Sequence, residues 1–359
     1  MKAFIDNYKS VVVQMATPFS VGTGFYLKEY NLLVTNEHVV RQNKMVVVDA
    51  EGMSRSLLDV VYLDAKYDLA FVKAPVEHHM GDAQIRKQLV ATEGDAVMAV
   101  GHPFGLKFTA TQGIISNVAH HQGDIQYIQH DAALNPGNSG GPLIDDQGYI
   151  IGVNTFIIQN GQNIGFSLPS NYLAQALDEF VRGGGKSGVR CTSCANIVFE
   201  PNPEKKYCPH CGADILMISD LEDYTPSGFR REIEDVLSTL HYDVRLTRRG
   251  PFNWEAVVGS AKVILSYHEE TGMIAGDAVL SSLPKDNIKA IYTYLLQQND
   301  KLKGLSLSIR NNDILLSMVM FDNYFTPESG KNTIQNLLET ANQLDDVLLE
   351  QYGAMKRPE

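Results

Sequence analysis

Between about residues 10 and 180 the apolar positions fall in short runs rich in Val, Ile, Phe and Tyr: Ser10–Ala16, Gly24–Leu27, Leu32–Thr35, Lys44–Asp49, Gly148–Asn154 and Asn163–Leu168. Gly, Asn, Pro and Asp separate them, so each run reads as a strand closed by a turn. Many short strands at this spacing predict a β-sandwich or barrel. One helix follows over Asn171–Arg182, where Leu173, Leu177 and Phe180 share a face. It stops at Gly183-Gly-Gly-Lys-Ser-Gly188, the composition of a flexible linker, and sets the expected end of a first domain at residue 182. A cysteine-bearing segment, 189–216, comes next. From 222 to 359 the pattern is that of one α+β domain. It predicts a helix near Ser227–His241, strands near Asp243–Thr247, Trp254–Tyr267 and Ile274–Leu283, and a helix over Asp286–Gln298. Strands Leu305–Ile309 and Ile314–Phe321 and a long helix over Glu328–Tyr352 complete the order αβββαββα.

The chain has 359 residues, too many for one ordinary core and enough for two or three. With 44% hydrophobic and 20% charged residues it reads as globular rather than disordered. The formal charge of −12 opposes binding to nucleic acid or an anionic membrane. No run approaches the ~18 apolar residues of a membrane span, and Met1–Met15 lacks the pattern of a secretion signal, so a cytoplasmic location is the expectation.

The string richest in chemistry is Asn135-Pro-Gly-Asn-Ser-Gly-Gly-Pro-Leu143. A nucleophilic serine needs a tight turn that exposes its hydroxyl, with backbone N–H groups of that turn converging where an oxyanion develops. Glycines at 137, 140 and 141 permit such a turn, and the N–H groups of Gly137 and Ser139 are the expected oxyanion donors. Upstream, Val34-Thr-Asn-Glu-His-Val-Val40 puts His38 at the end of an apolar strand, and Tyr67-Asp-Leu-Ala-Phe-Val-Lys73 puts Asp68 at the start of another. The order His38, Asp68, Ser139 is that of chymotrypsin rather than of subtilisin or the α/β-hydrolases. His38 then serves as general base and acid, and Asp68 fixes its tautomer. His102, His120, His121 and His130 read as surface or turn residues.

Taken with Gly22-Thr-Gly-Phe25, Gly101-His-Pro-Phe-Gly105, Gly113-Ile-Ile-Ser116, Asp131–Pro142 and Ile164–Pro169, these motifs resemble the HtrA (Deg) serine proteases over about residues 8–180. The resemblance implies a chymotrypsin-like double β-barrel and a serine endopeptidase that needs no cofactor for catalysis. Ala133 stands where trypsin-type enzymes place an acid, so it implies a small or medium apolar P1 residue. The P1 pocket is expected from Ala133 and Leu134, from Val153, Asn154 and Thr155, and from Ile164 and Gly165. The Val153–Thr155 edge is expected to pair with substrate backbone. A PDZ domain and a long N-terminal segment, usual in the family, are not recognised, so its trimerisation is not carried over and homo-oligomerisation stays open. A latent protease, switched on by a partner and acting as a scaffold, is the alternative.

All four cysteines lie in Cys191-Thr-Ser-Cys194 and Cys208-Pro-His-Cys211. Two CxxC knuckles supply four thiolates to one tetrahedral ion, and the segment resembles a zinc ribbon with one structural Zn²⁺ per chain. The α+β domain, on its element order, resembles the type III secretion chaperone-like fold, including YbjN-like proteins. It implies protein binding, so a polypeptide substrate and a protein partner held by the ribbon or this domain are the expected ligands.

Overall fold

A computed structural model of the chain describes residues 2–88, 90–102, 108–157, 164–286 and 288–356. Residues 103–105 of the Gly101–Gly105 motif and Asn163 lie outside them. Contacts divide the chain into two compact units, Met1–Tyr224 and Thr225–Glu359.

The first unit opens with a helix not foreseen in the sequence, α1 (Lys2–Lys9), and then six strands. These are β1 (Val12–Ala16), β2 (Val21–Leu27), β3 (Leu32–Thr35), β4 (Met45–Ala50), β5 (Met53–Asp64) and β6 (Leu69–Lys73), with a one-turn helix α2 (Glu37–Val40) after β3. They run in the order β5-β4-β1-β2-β3-β6, and a β5–β6 pairing closes them into a barrel. A second closed barrel follows from β7 (Ala96–Gly101), β8 (Thr109–Gln122), β9 (Ile125–His130), β10 (Pro142–Ile144), β11 (Ile150–Ile157) and β12 (Gly165–Pro169). Two six-stranded barrels are what a chymotrypsin-like protease domain requires.

The apolar runs do not alternate with polar residues because both strand faces are buried. In β1, Val13 and Met15 fill the first barrel with Leu33, Val46, Val48 and Val72, while Val12 turns outward. There it meets Phe25, Val34 and Phe71 together with Met98, Val100, Val153 and Leu168 of the second barrel, and Leu173, Leu177 and Phe180 of α3 (Ser170–Arg182). That shared core fixes one barrel against the other.

The glycine-rich 183–188 segment suggests a separation, yet the cysteine segment belongs to the same unit as the barrels. The reason is pairing: β13 (Gly188–Arg190) joins β5 in parallel, and β14 (Ile197–Phe199) adds to β13. Ile218 and Leu221 further on pack into the first barrel's core.

The second unit has α4 (Phe229–Thr239), a one-turn α5 (Val244–Thr247), β15 (Asn253–Val258), β16 (Ala261–His268), β17 (Met273–Ser282), α6 (Ile288–Lys301), β18 (Ser306–Arg310), β19 (Asp313–Phe321) and α7 (Pro327–Tyr352). Its strands form one antiparallel sheet, β15-β16-β17-β19-β18. Two expectations change. The segment Asp243–Thr247 is helical because the Asp243 carboxylate caps the Arg245 N–H. The single strand expected over Trp254–Tyr267 is a hairpin, turned at Gly259 with φ 55°. Arg248 and Arg249 are engaged with the buried carboxylates of Glu234 and Glu255.

Candidate active site

The catalytic candidates converge where the two barrels meet. His38 sits on α2, just past β3, and Asp68 on the turn before β6; β3 and β6 are neighbours, with Thr35 paired to Ala70. The His38 Nδ1 is 2.8 Å from Asp68 Oδ2 and 3.0 Å from Oδ1, and the His38 backbone N–H donates to Oδ1 at 3.0 Å. Asp68 has φ 51°, the left-handed region that an aspartate tolerates better than most residues. The Asn36 side chain holds this conformation by donating to the Asp68 carbonyl at 2.8 Å. The contact to Nδ1 leaves Nε2 as the imidazole's basic nitrogen.

Ser139 comes from the second barrel, on the loop between β9 and β10. Gly137 has φ 101° and Gly140 φ 84°, and a Cβ on Gly140 would lie 2.2 Å from both the Thr23 carbonyl and Thr35 Oγ1. Glycine is therefore required at 140 for conformation and for space. The loop is tied to the first barrel through Thr23, which is fully buried. Its hydroxyl donates to the Gly137 carbonyl at 2.6 Å and accepts the His102 N–H at 2.8 Å, while its own N–H donates to the Ser139 carbonyl. Among the described residues, the N–H groups of Gly137 and Ser139 have no acceptor, which suits an oxyanion hole. Among the described residues, the Ser139 hydroxyl has one partner, the Thr155 carbonyl at 3.3 Å, and makes no hydrogen bond to His38.

The expected pocket residues separate into two groups. Ala133, held by Thr111 through its carbonyl, lies near Leu134 in the loop, and a Cβ on Gly165 would lie 3.0 Å from Leu134 Cδ1. Val153 and Asn154 are fully buried; Val153 faces the core shared by the barrels, and Ile164 packs partly buried against that core. The Asn154 amide donates to the Pro142 carbonyl and accepts from Ser167. Ala133 and Leu134 are half-buried, while Thr155 is buried with its hydroxyl donating to the Val153 carbonyl at 3.0 Å.

His130 corrects an expectation. It is 1% exposed, not a surface residue. It lies opposite Gly165 in the β9–β12 pair, and the missing Cβ there makes room for the imidazole, only 2.6 Å from where a Cβ would stand. Its Nε2 meets Ser167 Oγ at 3.0 Å, and burial pushes its pKa down to about 4. No local signal in the sequence marks it, whereas Thr23 lies inside the Gly22–Phe25 motif.

The four cysteine sulfurs lie within 4.8 Å of one another, with Cys191 and Cys211 3.8 Å apart and Cys194 and Cys208 3.8 Å apart. A tetrahedral ion with Zn–S bonds of about 2.3 Å sets its ligands about 3.8 Å apart, so the four thiolates fit one Zn²⁺. Hydrogen bonds from the backbone and side chain of Asn196 lower the Cys194 pKa, while the hydrogen bond to Cys194 raises that of Cys211. Among the described residues no other cluster of His, Cys, Asp or Glu is arranged for a metal.

Residues 22–153 match the family model for a trypsin-like peptidase domain. The chain is 34% identical over 179 residues to the mouse serine protease HTRA4, an alignment covering 48% of this chain and 37% of that protein. It is 37% identical over 174 residues to a probable periplasmic DegP-like serine endoprotease of Chlamydia pneumoniae, covering 45% and 35%. A serine endoprotease structure from Yersinia pestis is 28% identical, covers 51% of this chain and 71% of that one, and has a TM-score of 0.45. Over about half its length the chain is thus similar to HtrA- and DegP-type serine proteases, and residues 22–153 match a trypsin-like peptidase domain. It spans less than half the length of the curated relatives it matches.

Proposed function

We propose that the chain is a serine endopeptidase that cleaves polypeptides through Ser139, His38 and Asp68. The observation that carries this reading is the 2.8 Å contact between His38 Nδ1 and Asp68, in a trypsin-like domain whose Ser139 rides a glycine turn. In this mechanism Ser139 Oγ attacks the scissile carbonyl as His38 Nε2 takes its proton, and Asp68 stabilises the imidazolium. The N–H groups of Gly137 and Ser139 stabilise the oxyanion, and His38 returns the proton to the leaving amine. Water, activated by the same histidine, then releases the acyl group. A small or medium apolar P1 side chain suits a pocket of Ala133, Leu134, Thr155 and Gly165, which has no fixed charge.

The four cysteines hold one structural Zn²⁺, and a reducing compartment suits such a thiolate site. The C-terminal domain binds substrate or a protein partner. A library of peptides with varied P1 tests the reading: cleavage by the wild type, abolished in Ser139→Ala and selective for small apolar P1, is expected. Cleavage that survives Ser139→Ala overturns it.

One observation favours a second reading, a resting state that needs a trigger: the Ser139 hydroxyl is bonded to Thr155 rather than to His38. Under it, activity rises more than in proportion as peptide is added; simple saturation argues against it.

A further inference from the structure

Between β5 and the turn that presents Asp68 lies a buried ion pair with no part in the chemistry above. Asp64 is fully buried and Arg190 is 4% exposed. Asp64 Oδ1 accepts the backbone N–H groups of Lys66 and Tyr67, each at 3.1 Å, and so shapes the turn that ends at Asp68. Its other oxygen accepts the Tyr62 hydroxyl at 2.7 Å and Arg190 Nε at 2.5 Å. The Arg190 guanidinium also lies over the Tyr67 ring, next to Asp68, with 5.2 Å to the centroid.

The same guanidinium reaches the cysteine site. Arg190 directly precedes Cys191, and its Nη1 donates to the Ala195 carbonyl at 2.7 Å. Ala195 follows Cys194, has φ 61°, and donates its N–H to the Cys191 carbonyl at 2.9 Å, closing the first knuckle. A further bond from Nη2 to Glu179 at 2.6 Å anchors the side chain on α3. One side chain thus bridges the knuckle and the Asp68 turn. A buried guanidinium has a single rigid fork of donors, so it cannot keep one set of partners while the other moves away without leaving buried polar groups unpaired.

We propose that Arg190 is a positioning residue that fastens the Asp68 turn to the four-cysteine centre, making an intact centre a condition for an ordered His38–Asp68 pair. The proposal rests on the serine endopeptidase reading for its catalytic consequence only. Its structural part stands apart from that reading.

The experiment uses full-length protein under reducing conditions, zinc-loaded or stripped with a chelator, as wild type and as Arg190→Met. Amide exchange is followed at Lys66 and Tyr67, with Val97–Val100 of the second barrel as internal reference. In the wild type, stripping is expected to speed exchange at Lys66 and Tyr67 at least about tenfold while leaving the reference unchanged. In Arg190→Met exchange there is already fast, and stripping adds less than about twofold. Peptide cleavage is expected to show kcat reduced about tenfold to a hundredfold in either stripped wild type or Arg190→Met, with KM little changed. The acid limb of kcat/KM moves to lower pH, because a loosened Asp68 stabilises the imidazolium less. Unchanged exchange at Lys66 and Tyr67 on stripping, or a rise equal to that of the reference strand, overturns the proposal. The wild-type arm decides this even if Arg190→Met does not fold. Zinc-dependent exchange in a protein that cleaves no peptide would keep the fastening and remove the peptidase reading.

Discussion

The Thr23 hydroxyl donates to the Gly137 carbonyl at 2.6 Å, so a strand of the first barrel holds the nucleophile loop of the second. The barrel that supplies His38 and Asp68 thereby also sets the loop that carries Gly137 and Ser139. One fully buried threonine thus adds directed hydrogen bonds to the apolar core that the two barrels share.

Thr23→Val keeps the shape and removes the hydroxyl, leaving the Gly137 carbonyl without this donor. The expected result is a fall in kcat of about tenfold to a hundredfold with KM nearly unchanged. Stability should drop by about 1–3 kcal/mol. Thr23→Ser should restore both. Peptide cleavage and urea unfolding of the three proteins check this, and a Thr23→Val enzyme with wild-type kcat would contradict it.

His130 should give the protein a specific acid sensitivity. Its ordinary value of 6.5 is lowered to about 4 by burial, so between those values the unfolded state binds more protons than the folded one. Stability therefore falls as pH falls from about 6.5 to about 4, by about 3 kcal/mol from this group, and loses nothing further below. Urea unfolding across that range should show a shallower slope in His130→Gln than in the wild type. Parallel slopes would show that the imidazole is not held neutral.

The sequence disclosed the elements that local pattern encodes. Strands β1–β4, β6, β11 and β12, with α3, the Ser139 turn and the paired cysteine knuckles, were legible from their own residues, whereas β5 and β7–β10 were not among the expected runs. What it hid depends on distant partners. Arg190 and Asp64 are 126 residues apart and meet only because β13 pairs with β5. The burial of His130 depends on a glycine 35 positions away that faces it across a pair of strands. The glycine-rich 183–188 segment looks like a linker by composition, but no composition shows that the next strand returns to the barrel. The hairpin at Gly259 was signalled by that glycine, yet the apolar residues on both sides read as one strand.

The cysteine centre predicts one Zn²⁺ per chain. Elemental analysis should return a zinc-to-protein ratio of about one for the wild type and near zero for Cys208→Ser. Chelation should lower the melting temperature of the wild type but not of that variant. A metal-free wild type with the same melting temperature as the zinc-loaded protein would contradict a structural role.

The pocket assignment is tested by Ala133→Asp. A carboxylate at its foot should shift preference toward Lys and Arg at P1 by at least about tenfold relative to apolar residues. An unchanged P1 profile, in an enzyme that still cleaves, would place the pocket elsewhere.

The most direct test of the central claim is labelling of the full-length protein by a fluorescent fluorophosphonate, with and without an apolar-P1 peptide, beside Ser139→Ala. Labelling that approaches one per chain and vanishes in Ser139→Ala is the result expected. A wild type that labels no more than Ser139→Ala under both conditions would contradict the assignment of Ser139 as an activated nucleophile.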